Sequence, residues 1–471
     1  MVLSSALCCL IALFYACGSG GGDAAAAFGK GSVGFSLVME DTAAARSLSI
    51  RAAADSDVQF ECETADYQIT TIEAQVLDTG GAVLVTASWD CSAHQGTISG
   101  ITPGEGIVVK IFAKDADETV LYEGQSDPLM VVAGRTTDAG LILLTAVNAR
   151  LAGEFIATSF GDSYWVGLSD LNFDGLGTGN FEDLLNTYEY TRNGNLTYQM
   201  AVDGSLTATF SSGEMYGGIL VTGRDILAAA DTDWEGADDS IEMDVAVKTS
   251  TGLSNAILSG EYIGVRISDG LTTALTQIIF DGDGGGTYRI LAASDPDLVS
   301  LQPSEITYSV DPGNGRATIG GAAAADGIVD SHGSVVSMVD TQYQGPREDN
   351  DMTVLIKTGS GLSPATIVGD YIAVSFGYYL GEGFDEETSR MSISADGAGN
   401  MEITVLSNSN GDLRAFEATY SVNPDGRIRI VPPDNEILDG IVNGDGDIFT
   451  FVNTTTDDNF IQIGVAIKET P

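Results

Sequence analysis

The sequence predicts an all-β protein. An N-terminal antiparallel β-sandwich is followed by three tandem antiparallel meander units, each read as a small up-and-down β-barrel, with a β-propeller as the alternative. Three observations predict this. First, from residue 151 onward one unit of about 110 residues occurs three times. Each copy opens on Gly, an acid and an aromatic: Gly153-Glu154-Phe155, Gly260-Glu261-Tyr262 and Gly369-Asp370-Tyr371. Each closes on apolar residues and a lysine: Val245-Ala246-Val247-Lys248, Val354-Leu355-Ile356-Lys357 and Val465-Ala466-Ile467-Lys468. Second, Asp-Gly and Asn-Gly pairs separate the apolar runs, as at Asp281-Gly282, Asn314-Gly315 and Asp425-Gly426. These pairs suit tight hairpins, whose central residues take positive φ. Third, the runs alternate with period two: Ile306, Tyr308 and Val310 share a face, and Ile428 and Ile430 oppose Arg427 and Arg429. About eight strands per unit can close on themselves and remove exposed edges. A propeller would repeat at about 45 residues, a period this chain lacks.

Composition bounds the function. The chain has 471 residues, enough for three or four domains, and its 44% hydrophobic content supports packed cores. The 58 glycines lack a period of three, which excludes collagen. With 67 acidic against 20 basic residues the formal charge is −47. Such a surface repels phosphate backbones, excluding nucleic acid as a partner, and does not dock electrostatically on anionic lipid. The acidity fits either solubility or divalent-cation binding.

Along the chain, residues 1–16 read as a signal peptide, because residues 7–15 are mostly apolar yet too short to span a bilayer. Ala16-Cys17-Gly18 then leads into Ser19-Gly20-Gly21-Gly22. This resembles a bacterial lipoprotein signal, in which a small residue precedes the cysteine that is lipidated. The resemblance covers the first 22 residues. It implies lipidation at Cys17, a membrane partner held through that anchor and, with Gly18 after the cysteine, an outer-membrane address. Residues 17–30 form the anchor and a Gly-rich flexible linker. Cys8 and Cys9 lie in the signal, so Cys62 and Cys91 remain as one pair, predicted to be a disulfide in an oxidising compartment.

Residues 31–147 read as short strands at 32–39, 58–63, 71–77, 83–89, 96–101, 107–113, 120–123, 129–132 and 139–146, the pattern of a sandwich. This pattern, with the turn in Val131-Val132-Ala133-Gly134-Arg135-Thr136-Thr137, resembles the Ig-like and fibronectin-III-like modules of bacterial surface proteins. The three units span 151–257, 258–366 and 367–471, and residues 258–366 are expected to fold alone. Their Gly-x-aromatic opening resembles that of lipocalin-like barrels, which implies a cup for a small apolar ligand. Inward residues mix large and small, as with Tyr308 and Ile319 beside Ala322-Ala323-Ala324-Ala325, so filled and hollow barrels both stay open.

Catalytic patterns are missing. His94 and His332 have no ligand-spaced neighbours, no Gly-x-Ser-x-Gly elbow or phosphate-binding glycine motif occurs, and no reactive cysteine is left over. The chain is therefore read as not an enzyme, with a carboxylate-based hydrolase as the third choice. The one cofactor candidate is calcium. Asp170, Asn172 and Asp174 place oxygen ligands at positions 1, 3 and 5 before Gly175, although Phe181 stands where a calcium loop carries its Glu. On a strand, the same three residues would simply form the solvent face. Tyr164-Trp165 and Tyr378-Tyr379 would stack on sugar rings if exposed. The sequence thus points to a lipid-anchored cell-envelope protein with a non-catalytic binding, adhesive or structural role toward a protein or glycan. The alternative is a carrier of small apolar ligands.

Overall fold

A computed structural model of the chain describes residues 30–39, 62, 68–93, 95–116, 118–161, 165–187, 192–221, 225–231, 241–268, 272–340, 350–379, 386–411, 413–433, 436–455 and 460–469. Cys17, the strand expected at 58–63 apart from Cys62, His94 and Tyr164 lie outside the described residues.

The N-terminal part contains β1 (Gly31–Met39), β2 (Thr71–Leu77), β3 (Val83–Asp90), β4 (Gln95–Ile101), β5 (Gly104–Lys114), β6 (Val120–Gln125), β7 (Leu129–Val131) and β8 (Thr136–Ala146). Period-two burial in β2 puts Ile72, Ala74 and Val76 inward. Two features differ from the expected antiparallel sandwich. The strands form one hydrogen-bonded path, β3-β2-β5-β6-β8-β1-β4, because β6 pairs with both β5 and β8 and so joins the two halves. In addition, β1 runs parallel to β8, from Ser32 opposite Thr136 to Met39 opposite Leu144. The path folds over a single core in which Val33 and Phe35 meet Ile72, Val109, Ile111 and Leu144. Cys62 and Cys91 are joined by a disulfide with Cα atoms 5.7 Å apart.

The rest of the described chain is three closed eight-stranded barrels, not propeller blades. Barrel 1 comprises β9 (Gly153–Gly161), β10 (Val166–Phe173), β11 (Thr178–Asn186), β12 (Asn193–Met200), β13 (Ser205–Phe210), β14 (Met215–Val221), β15 (Ile226–Asp231) and β16 (Glu242–Lys248). Barrel 2 comprises β17 (Ser259–Ser268), β18 (Thr272–Asp281), β19 (Gly285–Ala293), β20 (Ser304–Val310), β21 (Arg316–Gly321), β22 (Ala325–Val329), β23 (Val335–Asp340) and β24 (Asp351–Lys357). Barrel 3 comprises β25 (Val368–Tyr379), β26 (Glu386–Asp396), β27 (Asn400–Asn408), β28 (Ala415–Val422), β29 (Arg427–Val431), β30 (Leu438–Val442), β31 (Ile448–Asn453) and β32 (Phe460–Lys468). Consecutive strands pair antiparallel, and the last strand returns to the first.

The repeat signature is the closure itself. The closing lysine stands opposite the opening aromatic in register: Lys248 by Phe155, Lys357 by Tyr262 and Lys468 by Tyr371. Each ammonium sits over that ring, at 5.7, 5.7 and 5.8 Å from its centroid. The opening glycines make room for it. Gly153, Gly260 and Gly369 have φ of 121°, 106° and 99°, a region L side chains rarely adopt, and the lysine stem passes close to each.

The lower end of each barrel is stopped by one turn of 3-10 helix, at Val147–Leu151, Asn255–Ile257 and Pro364–Thr366. A tyrosine that follows a threonine in each unit (Thr197-Tyr198, Thr307-Tyr308 and Thr419-Tyr420) donates its hydroxyl to this turn or the residue that ends it: Tyr308 to the carbonyls of Asn255 (3.1 Å) and Leu258 (2.9 Å), Tyr420 to those of Pro364 (3.0 Å) and Ile367 (2.7 Å). Tyr198 reaches the Asn148 carbonyl at 3.4 Å.

Strands β9–β10 pack on β22–β23, β17–β18 on β30–β31, and β25–β26 on β14–β15. The first two strands of each barrel thus meet the sixth and seventh strands of the next, and the third barrel closes on the first. This is a head-to-tail ring within one chain. One apolar cluster fills all three seams, with Ile156, Val265 and Val374 among its members. Phe160 stands edge-on to Phe376 at 5.3 Å. Every seam also carries a threonine hydroxyl contact: Thr158 with Ser337, Thr273 with the Asn453 carbonyl, and Thr388 with the Asp231 carbonyl. Strands that are covered on both faces read as near-continuous apolar runs, as in Val354-Leu355-Ile356.

Candidate functional site

Barrel 1 holds a cavity of about 480 Å³ at the end opposite its 3-10 turn, a size typical of small-molecule sites. Its walls follow from strand alternation: odd positions of β9 and even positions of β16 face inward, which brings Ala157 and Ser159 beside Glu242 and Asp244. Leu171, Phe181 and Phe210 supply apolar wall, and Phe210 lies between Phe181 (5.0 Å) and Tyr216 (4.8 Å).

Four carboxylates (Asp183, Glu214, Glu242 and Asp244) and one guanidinium (Arg192) line this cup. Arg192 is fully engaged. Its Nε donates to Asp183 Oδ2 at 3.1 Å, its Nη1 to Glu242 Oε1 at 2.7 Å, and its face lies 4.0 Å from the Trp165 ring. Ser169 donates to Asp183 (2.8 Å) and Tyr216 to Glu242 (2.9 Å). Although its own burial disfavours charge, Glu242 and Asp183 hold Arg192 firmly protonated. Burial also raises Glu242, against the pull of Arg192.

Asp244 is satisfied only in part, through Ser159. Its Oδ1 is buried without a hydrogen bond. Burial first, then the neighbouring Glu242, push its carboxyl up to about 7, while a Ser159 hydrogen bond pulls the other way.

The other barrels treat the same positions differently. Ser159 pairs in register with Asp244, Arg266 with Thr353, and Ser375 with Gly464. In barrel 2, Arg266 fills the space and pairs with Asp351 at 2.8 Å. Leu298 and Val299, from the β19–β20 connection, pack there against Ala274, Ile290 and Ala293. In barrel 3, a side chain at Gly464 would run into the Phe451 ring. Barrel 3 retains a smaller cavity of about 240 Å³, apolar at Met391, Ile403, Leu438 and Phe451, with Arg414 and Glu387 also lining it.

None of the cup's charged residues was singled out from the sequence. The available signal was an acid, Asp244, amid inward positions that are Thr353 and Gly464 in the sister units. The calcium candidates fall elsewhere. Asp170 and Asn172 lie on the outer face of β10, where burial and Glu154 raise the Asp170 carboxyl. Asp174 caps the β10–β11 turn, accepting from the backbone N–H of Leu176 (2.7 Å), Gly177 (3.1 Å) and Thr178 (3.0 Å). Asp281 and Asp396 cap the matching turns of barrels 2 and 3. Among the described residues, no three His, Cys, Asp or Glu side chains converge as a metal site. His332 sits in the β22–β23 turn near Asp330. Trp165 and Tyr378 are buried, and Tyr379 is half-buried with its hydroxyl on Glu387, so these rings do not offer open faces for sugar stacking.

No family model matches the chain, and no curated protein matches it. Among solved structures, a transferrin binding protein B from Haemophilus parasuis aligns at 9% identity over 89% of this chain and 99% of its own, with a TM-score of 0.28. The transferrin binding protein B of serogroup B Neisseria meningitidis aligns at 11% identity over 65% of this chain and 66% of its own, with a TM-score of 0.26. A Nostoc punctiforme protein of unknown function aligns at 10% identity over 68% of this chain and 97% of its own, with a TM-score of 0.18. Superpositions this loose carry nothing over to this chain.

Proposed function

We propose that the chain is a non-catalytic binding protein of the bacterial cell envelope that takes a small ligand into barrel 1. The observation that carries this is the cup itself, about 480 Å³, with one carboxylate oxygen on its wall, Asp244 Oδ1, that no group of the protein hydrogen-bonds. Burying such an oxygen without a donor is costly, and its position on the wall of an open cup points to a donor that arrives from outside. The signal-like segment ending at Cys17 and the glycines that follow support tethering to the outer membrane through lipid. Protein or glycan partners would then be met on the outer surfaces of the array. A second reading, carriage of a small apolar ligand, is favoured by the apolar cavity of barrel 3.

Native mass spectrometry of the chain recovered from bacterial envelope, with and without chelator, tests this. A released small organic mass at about one or two equivalents is expected. Chelator-sensitive steps of about 40 Da would instead return calcium to Asp170, Asn172 and Asp174. A chain that stays bare even after incubation with envelope extract would overturn the proposal.

A further inference from the structure

We propose that the barrel 1 cup selects a small organic ammonium ion, its nitrogen on Asp244 and its carbon skeleton against Phe181 and Phe210. This rests on the binding reading above and gives the ligand its chemical class.

Three observations converge. The cup is short of positive charge: four carboxylates line it, and its one cation is spent on Asp183 and Glu242 and stacked on Trp165. An anionic ligand would therefore find no free donor charge and three or four repelling oxygens. The missing partner is a hydrogen-bond donor at Asp244, which an ammonium supplies together with charge. Beside the acid stands an aromatic wall, Phe181 edge-on to Phe210, which suits the body of an amine and the faces of which attract cations. A bare divalent ion fits less well, because no three carboxylates converge among the described residues.

Barrel 2 carries a guanidinium at the position of Ser159: Arg266 pairs there with Asp351, which stands in register where barrel 1 has Glu242. Barrel 1 meets Glu242 with Arg192 instead, so Asp244, at the position of Thr353, is an additional acid with no counterpart in barrel 2. The strongly acidic surface raises the local concentration of any cation at its mouth.

The test is calorimetry on the purified full chain at pH 8 with tryptamine, its neutral analogue tryptophol, its anionic analogue indole-3-acetate, and calcium chloride. Tryptamine is expected to bind at one site, at least about tenfold tighter than tryptophol, with no heat from indole-3-acetate. Asp244→Asn should weaken tryptamine about tenfold or more, and Ser159→Arg should abolish it, with far-UV circular dichroism confirming the fold of both. Equal binding of tryptophol and tryptamine, both lost in Ser159→Arg, would overturn the ammonium assignment and leave the cup as a binding site. Calcium displacing tryptamine at equal affinity, or unchanged tryptamine binding in Asp244→Asn, would also overturn it. No binding by any probe, together with a bare chain in mass spectrometry, would remove both proposals.

Discussion

Arg266 stands on β17 at the register position that Ser159 holds on β9, and its guanidinium reaches Asp351 at 2.8 Å. Asp351 stands in register where barrel 1 has Glu242, so one acid position is met by Arg266 in barrel 2 and by Arg192 in barrel 1. Replacing Arg266 by Ser leaves Asp351 largely buried without this partner, a class of change that costs about 3–5 kcal/mol. The expected outcome is a clear loss in denaturant midpoint without a change in ligand binding by barrel 1. An unchanged midpoint would mean that the ion pair contributes nothing to barrel 2.

Asp244 also sets a pH dependence. Its folded-state carboxyl titrates at about 7, against about 4 when unfolded. Between those values the native state holds the extra proton, so stability falls as pH rises through the window. Asp183, Glu214, Glu242, Tyr216 and Arg192 line the same cup, and Glu242, also raised by burial, adds to the slope with the same sign. Asp244→Asn should flatten this slope in urea titrations at pH 5 to 8. A slope equal to wild type would place the titrating group elsewhere.

At the acid end the turn caps act with the opposite sign. Backbone N–H donors hold Asp281 below the usual carboxylate range. The Asn400 side chain and backbone N–H donors do the same for Asp396. For Asp174, burial pushes upward but hydrogen bonds from Thr178, Leu176 and Gly177 outweigh it. Their contribution is complete above the unfolded value and is lost as pH falls through the folded one. The triple Asp→Asn variant keeps an acceptor oxygen in each turn, and should lose stability less steeply below pH 4. An acid limb superimposable on wild type would show that these caps do not govern it.

The closure glycines give a backbone test. Gly260 has φ of 106°, and the Lys357 stem passes beside it. Gly260→Ala should cost about 1 kcal/mol or more, because an L side chain is strained there. Lys357→Ala should cost about 0.5–1 kcal/mol through the ring of Tyr262. Thermal midpoints that fail to fall in either variant would contradict this account of the repeat signature.

An isolated barrel faces a different difficulty from the one its closed sheet solves. In residues 258–366, Ile263, Val265 and Ile267 would lose their cover, as would Val335 and Val339 on the other side. The fragment should keep its β circular dichroism but sediment as oligomers, and Val265→Glu should return it to monomer. A wild-type fragment that is monomeric at high concentration would show that the seams are dispensable.

Eight strands per unit could be read from the sequence because local chemistry dictates them: Asp-Gly turns force hairpins, and Ile306, Tyr308 and Val310 fix a face. The ring could not be read so. Its seams use the second face of strands such as Val354-Leu355-Ile356, and an apolar run does not say which neighbour covers which side. The Asp170, Asn172 and Asp174 spacing suggested a metal loop because residues two apart share a face. Comparison with Asp281 and Asp396 marks Asp174 as a turn cap instead. The cup escaped notice for the reverse reason: Asp183, Arg192, Glu242 and Asp244 are far apart in sequence and meet only once the barrel closes.

Each barrel wall divides its residues into two sets with separate duties. Ile156, Phe160 and Val245 face outward and hold the array together, while Ala157, Ser159 and Asp244 face inward and line the lumen. A substitution in the lumen therefore leaves the docking surfaces alone. The three copies could diverge into a polar cup, a stapled plug and an apolar hollow while keeping one way of fitting together, and a new ligand could be accommodated without redesigning the assembly.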